Sequence, residues 1–538
     1  MNNNDTMVRN LPPIILSVLH QRGIKTRKQI QEFLDPSVSS LSDPFSISDM
    51  EKGCKILEQA IYSKKNIFLY ADGDVDGIAG AAMFVNLFRK MKIPFDIKLT
   101  HRLEDYEIEP DFINRIRNLG YELLITIDTG TTSNELIEYC EQLGFPLIII
   151  DHHKGEMLKN LKHVVIINPS LGREDSDFDV LTASGLSFKV IQALKSFSPF
   201  FPDEIFASSI ELATIGTLSD YGFLTGENRV IVKIGLNGLE NTSIPGIETF
   251  REFFYVPGKN SDVESITHYL NPKLNTPGRF GRPELTLKVL TANKEEEIQN
   301  VFEEIEFFEK EKQKILRRFS CSIEKLKNPE CPLFLLFENI PASFSGTFAA
   351  RTSEKFQLPA LVAIKNGDFL QGSARSYDRA DLYELFNNFK NYFISFGGHK
   401  NAVGFKMKID FLNELKHAWK QLRLCSISSK QSVKPLEADF EALTIPVFEN
   451  IQQLKPFGPG NPPVLFISNP VECLKITGCK GKKTIAWVKQ GNKMFEVHFS
   501  KGFKMPGGPI SITYVPHLRK SEGLYIPWLD VKNYSTTF

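Results

Sequence analysis

Short apolar runs alternate with helically spaced apolar positions through the first half of the chain, and three of the runs end in carboxylates or imidazoles. Asn66-Ile67-Phe68-Leu69-Tyr70-Ala71 leads into Asp72, Asp74 and Asp76. Leu123-Leu124-Ile125-Thr126-Ile127 leads into Asp128, and Pro146-Leu147-Ile148-Ile149-Ile150 into Asp151-His152-His153. A fourth run, Val164-Val165-Ile166-Ile167, ends in Asn168-Pro169. Runs of this kind predict buried parallel strands. The helical patterns around them (50–63, 78–90 and 134–143) predict βαβ units and a mostly parallel sheet. Ligands of open α/β sheets sit beyond the carboxyl ends of the strands. The pattern therefore predicts one crevice that gathers the polar groups of three strands.

The rest of the chain divides by pattern. Residues 1–50 predict a helical lead-in, with Ile15, Val18 and Leu19 on one face and Pro36 and Pro44 as punctuation. The α/β region covers 51–293. Residues 294–330 are apolar at helical spacing with a heavily charged opposite face, and predict a long linker helix. Strands resume at Leu333–Phe337 and Ala360–Ile364, with helices near Asp381–Tyr392 and Phe411–Leu424, so 331–426 predicts a second α/β domain. Over 427–538 a polar stretch and Pro456-Phe-Gly-Pro-Gly-Asn-Pro-Pro463 precede short alternating strands, as in a small β-barrel.

Composition narrows the class without naming a partner. Lys+Arg and Asp+Glu both number 64, so net charge is zero and any polyanion surface must be local. Residues 471–538 carry 11 Lys and Arg against 4 acids, and place that patch at the terminal domain. Its aromatics Trp487, Phe495, Phe499 and Tyr514 are expected to stack on unpaired bases. The seven Cys are scattered with no C-x-x-C pair, which predicts reduced thiols in a cytoplasmic chain. No apolar stretch nears the roughly 20 residues that span a bilayer, and no signal peptide is evident, so no membrane association is expected.

The candidate chemistry is that of divalent metal. Asp72, Asp74 and Asp76 alternate, so an extended backbone would set successive carboxylates on one face roughly 6.6 Å apart. The same string fits the start of an EF-hand, but Met83 stands where a bidentate Glu belongs. With Asp128, His152 and Asp220 they suffice for two ions about 3.5–4 Å apart, manganese or magnesium from the hard ligands, an arrangement suited to in-line displacement at phosphorus. Phosphate-binding candidates are Ser373 and Arg375, the glycine loop Gly397-Gly398-His399, and Arg279 in a turn-rich segment.

These motifs, in this order, resemble the DHH phosphoesterase superfamily and, within it, the RecJ family of single-stranded-DNA exonucleases. The resemblance rests on 67–80, 123–133, 148–155 with Asn168-Pro169 and Ala183–Phe188, 212–229, the Ser373-Ala-Arg-Ser376 and Gly397–Gly404 strings, and the Pro456–Pro463 segment. It implies a DHH domain, a DHH-associated domain and an OB-like barrel. It implies one ion on Asp72 and Asp74 and a second on Asp76, His152 and Asp220, with Asp128 bridging. Asp128 and His153 would serve catalysis, His153 facing the scissile phosphate. Arg102, Arg279, Ser373, Arg375, Gly397, Gly398 and His399 would hold nucleic-acid phosphates. The implied activity is 5′→3′ hydrolysis of single-stranded DNA in recombination and repair, by a monomer served by a helicase and a single-strand-binding protein.

Two strings depart from the family. Ser343-Phe344-Ser345-Gly346-Thr347-Phe348 replaces a Trp-His-containing string, and Asp105-Tyr106-Glu107 a Gly-Tyr-Gly; neither removes a metal ligand. Two alternatives stay open at this point. One is a phosphodiesterase of the same superfamily acting on short RNA or cyclic dinucleotides. The other is a non-catalytic scaffold, against which the intact acids argue.

Overall fold

The computed structural model describes residues 11–100, 108–155, 158, 160–171, 178–197, 201–242, 244–254, 262–327, 329–377, 380–423, 434–481, 483–521 and 523–536. Two compact units emerge. One comprises 44–220 with 238–430, the other 1–43, 221–237 and 431–538.

The larger unit opens with a five-stranded parallel sheet in the order β2-β1-β3-β4-β5. Its strands are β1 (Ile67–Ala71), β2 (Phe95–Leu99), β3 (Leu123–Ile127), β4 (Leu147–Ile150) and β5 (Val164–Ile167). β3, β4 and β5 are buried along their whole length, as unbroken apolar runs require. Helix α1 (Val75–Met91) follows β1, and α2 (Ala183–Phe197) and α3 (Asp203–Ser219) come after the last strand. The linker helix is shorter than its pattern, α4 (Gln299–Glu324).

The same unit carries a second, mixed sheet in the order β6-β7-β8-β10-β9. These are β6 (Leu333–Glu338), β7 (Ala360–Asn366), β8 (Phe369–Arg375), β9 (Phe393–His399) and β10 (Ala402–Lys408). Ser373 and Arg375 therefore lie within a strand. The expected glycine loop is corrected: Gly397 and Gly398 belong to β9, and β9 and β10 form an antiparallel hairpin that turns at Lys400-Asn401. The alternation Ala402-Val403-Gly404-Phe405-Lys406-Met407 accounts for this, since Val403, Phe405 and Met407 are buried on one face.

The smaller unit is a barrel of β11 (Leu436–Glu437), β12 (Phe466–Lys480), β13 (Lys483–Gln490), β14 (Lys493–Ser500), β15 (Ile510–Ser521) and β16 (Leu524–Thr536). It is closed by pairing of β12 with β15. Its core also contains Leu11, Ile15, Val18, Leu19, Ile30 and Leu34. The lead-in as far as Asp43 is thus part of this unit, and its last residues, 44–50, belong to the larger one.

Three expected base-stacking residues are corrected here. Phe495 (6% exposed), Phe499 (0%) and Tyr514 (0%) fill the barrel core. Along Met494-Phe-Glu-Val-His-Phe499 the period of two sends the Phe side chains inward and Glu496 outward. Trp487, on the outward parity of β13, remains half-buried.

Candidate metal centre

The carboxyl ends of β1, β3 and β4 deliver their acids to one place, with Asp220 arriving at the end of α3. Three groups of side chains offer ligand atoms within 4.8 Å of one another: Asp72, Asp74 and Asp128; Asp76, His152 and Asp220; and Asp128, His152 and His153. Asp128 belongs to two of the groups, as does His152.

Each acid is held by its local structure. Asp72 Oδ1 accepts from Gly73 N at 2.8 Å and from Thr100 Oγ1 at 2.7 Å. Asp74 is the N-cap of α1, and its Oδ1 accepts from the backbone of Asp76 (2.9 Å) and Gly77 (3.3 Å). Asp76 is buried and faces the N-terminus of α2. Its Oδ2 accepts from Ala183 N at 2.8 Å, and its Oδ1 from Thr182 Oγ1 at 2.9 Å and Ser184 Oγ at 2.5 Å. Helix α3 comes this close because residue 216 is glycine; a Cβ there would stand 2.7 Å from Asp76 Oδ1.

Asp128 carries the largest imbalance. Its φ is +61°, in the left-handed region that non-glycine residues seldom occupy. Its side chain is buried, and Oδ1 accepts no hydrogen bond. His152 Nε2 stands 3.3 Å from that oxygen and His153 Nδ1 3.9 Å. Burial and then the charges of Asp74, Asp76 and Asp72 push the Asp128 carboxyl well above the usual range. Burial likewise raises Asp76. Asp220, 42% exposed, is pushed up to about 7 by its partial burial and by the charge of Asp76.

A buried, unsatisfied carboxylate oxygen among acids that repel one another fits a divalent cation, which would neutralise the charge and take up the lone pairs. The donor set of hard carboxylates with imidazole suits manganese or magnesium.

Asp151, which was not among the expected site residues, organises the neighbouring loop. Its Oδ1 accepts from His152 N (2.7 Å), His153 N (3.2 Å) and His153 Nδ1 (2.7 Å), and its Oδ2 from Thr131 N (3.0 Å). Burial works against the charged form of Asp151, but the His153 hydrogen bond and charge, with the backbone donors, hold it far below the usual range. Reciprocally, the Asp151 hydrogen bond raises His153 to about 9. Asn168 Nδ2 then ties Thr131 Oγ1 (3.0 Å) to His153 O (2.9 Å). Thr182, Ser184 and Asn168 were visible only as motif neighbours, because their roles depend on contacts between distant segments.

The phosphate-binding candidates converge in part. Ser373, Gly404 and Gly397 form one cross-strand row, and Arg375, Ala402 and His399 another. The Ser373 hydroxyl donates to Val403 O at 3.1 Å and accepts from Arg375 Nη1 at 2.7 Å, so it orients the guanidinium. Arg279 is held by the turn that follows β6: its Nη1 donates to Ser343 O, and Ser343 Oγ donates back to Arg279 O, both at 2.7 Å. A Cβ on nearby Gly346 would lie 3.4 Å from Arg375 Nη2. Arg102 lies outside the described residues.

The comparisons with known proteins agree with this architecture. Residues 66–217 match the DHH family N-terminal domain, and 436–524 match the RecJ OB domain. The chain is 26% identical over 543 residues to the single-stranded-DNA-specific exonuclease RecJ of Bacillus subtilis, covering 97% of this chain and 68% of that protein. It is 25% identical to the protein of the same name from Thermus thermophilus, covering 89% and 70%. The crystal structure of the Thermus thermophilus RecJ in complex with Mn2+ superposes with a TM-score of 0.78 at 20% identity, over 98% of this chain and 76% of that one. No helix among the described residues is long and apolar enough to cross a membrane. The chain thus carries a DHH family N-terminal domain and a RecJ OB domain in sequence, and is similar along nearly its whole length to single-stranded-DNA-specific exonucleases named RecJ.

Proposed function

We propose that the chain is a metal-dependent exonuclease that removes nucleotides from the 5′ end of single-stranded DNA, in DNA recombination and repair. The observation that carries this reading is the chain of shared ligands: Asp128 joins Asp72 and Asp74 in one cluster and His152 and His153 in another, and His152 joins Asp76 and Asp220 in a third. Relatives named as single-stranded-DNA-specific exonucleases support the substrate. The alternative, a phosphodiesterase of short RNA or cyclic dinucleotides, leaves the domain at 436–524 without a task.

Two divalent ions, manganese or magnesium, would supply Lewis-acid chemistry at phosphorus, lowering the pKa of an attacking water and stabilising charge on the phosphoryl oxygens. Asp72, Asp74 and Asp128 would hold one, and Asp76, His152 and Asp220 the other, with Asp128 between them. Asp151 holds the His153 ring through Nδ1 and raises its pKa, and Nε2 would be the atom offered to a phosphate oxygen. Arg279 and Arg375, oriented by Ser343 and Ser373, with the backbone at Gly397–His399, would bind phosphates of the strand. Arg102 is carried in the same proposal, as are action as a monomer and supply of substrate by a helicase or a single-strand-binding protein.

The test is digestion of 5′- and 3′-labelled single strands, duplex and short RNA with manganese or magnesium. Loss of label from the 5′ end of single strands alone is expected, and Asp128→Ala should abolish it while DNA is still bound. Near-normal cleavage by that variant would end the proposal.

A further inference from the structure

The turn built from Asn271–Leu274 and Thr276–Arg279 lies 200 residues beyond the first acidic motif, yet it touches that motif directly. Asn275 Oδ1 accepts the Val75 N–H at 3.2 Å, and Asn275 Nδ2 donates to Ser219 Oγ at 2.9 Å. Val75 opens α1, so its N–H is one of the donors that a helix start leaves without an intrahelical acceptor. Because that N–H can only donate, the amide oxygen must face α1 and the NH2 must face Ser219. Val75 stands between Asp74 and Asp76, and Ser219 immediately precedes Asp220. A single side chain thus joins the backbone of the acidic loop to the end of α3.

The turn is itself well anchored. A Cβ on Gly278 would stand 2.6 Å from Gly73 O, so only glycine lets the two backbones approach this closely. Asn271 Nδ2 donates to Ile215 O on α3 at 3.0 Å. From behind, buried Lys312 of α4 donates to Pro272 O at 3.0 Å and to Thr276 Oγ1 at 2.6 Å. Asn275 is therefore presented from a braced support and not from a mobile loop.

We infer that Asn275 is a positioning residue for the metal centre, setting the spacing between the Asp74–Asp76 loop and Asp220. The inference rests on the proposed metal-dependent reading. Supports of this kind, one bond removed from the ligands, typically weaken metal binding roughly ten- to a hundredfold when lost.

The experiment titrates Mn2+ by calorimetry into the full-length metal-free parent, Asn275→Ala, Ser219→Ala and the double variant, with thermal unfolding of each apoprotein alongside. Asn275→Ala should weaken Mn2+ binding roughly tenfold or more, and Ser219→Ala, which leaves the Val75 bond intact, less so. The double variant should bind no more weakly than Asn275→Ala, since both changes cut one tie. Apoprotein Tm should stay near the parent's, and on single-stranded DNA kcat should fall while KM holds. Parent-like Mn2+ affinity in Asn275→Ala, or additive losses in the double variant, would overturn the inference. Should Asn275→Ala fail to fold, Ser219→Ala decides: weakened binding supports the inference and parent-like binding overturns it. A parent that takes up no Mn2+ would instead sink the proposed function.

Discussion

His153 Nδ1 lies 2.7 Å from Asp151 Oδ1, on a carboxylate that is also held by the backbone N–H groups of His152, His153 and Thr131. A carboxylate in that position can only accept from an imidazole, so it fixes both the ring and its proton. Asp151→Asn keeps the shape but can turn its NH2 toward the ring. Cleavage should fall roughly ten- to a hundredfold, as when the partner orienting a site imidazole is lost. Binding of single-stranded DNA, measured by anisotropy without metal, should change little. Unaltered cleavage would show that the orientation of His153 is immaterial.

The barrel separates binding from stability. Trp487 on β13 pairs in register with Glu496, and Glu496 with Trp528 on β16, so both Trp residues share the outward parity. Trp487→Ala should weaken single-strand binding by about 1–3 kcal/mol, the worth of one stacked base, and leave Tm close to the parent's. Phe499→Ala removes a ring stacked on Phe503 in the core and should destabilise this unit by about 3–5 kcal/mol. Anisotropy and thermal unfolding, run on both variants, should give opposite patterns.

Acid should weaken the same unit through His517. Its ring stacks on Trp528 at 4.2 Å, and burial lowers its pKa to about 4, against the opposing pull of Asp530 and with Lys455, Lys532 and His498 on the same side as burial. Above about pH 6.5 the group is neutral in both folded and unfolded chains and adds no pH dependence. Between about 6.5 and 4 the unfolded chain takes up a proton that the folded one refuses, so stability falls across that window and then levels. The loss is at most roughly 3 kcal/mol. His517→Phe should flatten the dependence of Tm on pH between 7 and 5, and an unchanged slope would assign it to other groups.

Arg229, in a string matched to a family motif, serves the fold. Its Nη2 donates to Phe33 O and Lys455 O, both at 3.0 Å, its Nη1 to Pro456 O at 3.3 Å, and its guanidinium lies 3.5 Å over the Phe33 ring. Arg229→Met should lower Tm by leaving buried carbonyls without donors, at about 1–3 kcal/mol each. Mn2+ affinity should stay at the parental level. Arg229→Lys should not rescue Tm, because one ammonium cannot reproduce the planar fork.

The sequence carried the acidic crevice well, because Asp72, Asp128 and Asp151 end apolar runs whose burial on both faces leaves only a parallel sheet as their home. It also carried the partition into two α/β sheets and a barrel. It did not carry Asn275, whose partners Val75 and Ser219 are remote in the chain and whose own surroundings read as an ordinary turn. Phe495, Phe499 and Tyr514 were misread for a related reason. Alternation says which residues share a face, but the closure of β12 on β15 decides which face is the inside. The Gly397-Gly398 pair reads as a loop in sequence because glycine serves hairpin strands and loops alike.

The smaller unit draws its hydrophobic interior from Leu11–Leu34 and from Ala438–Val531 alike. During synthesis the earliest of these side chains must wait, unpartnered, until some four hundred later residues have left the ribosome. A product that stops short would display a greasy helical stub with nothing to cover it, a natural mark for chaperones and proteases.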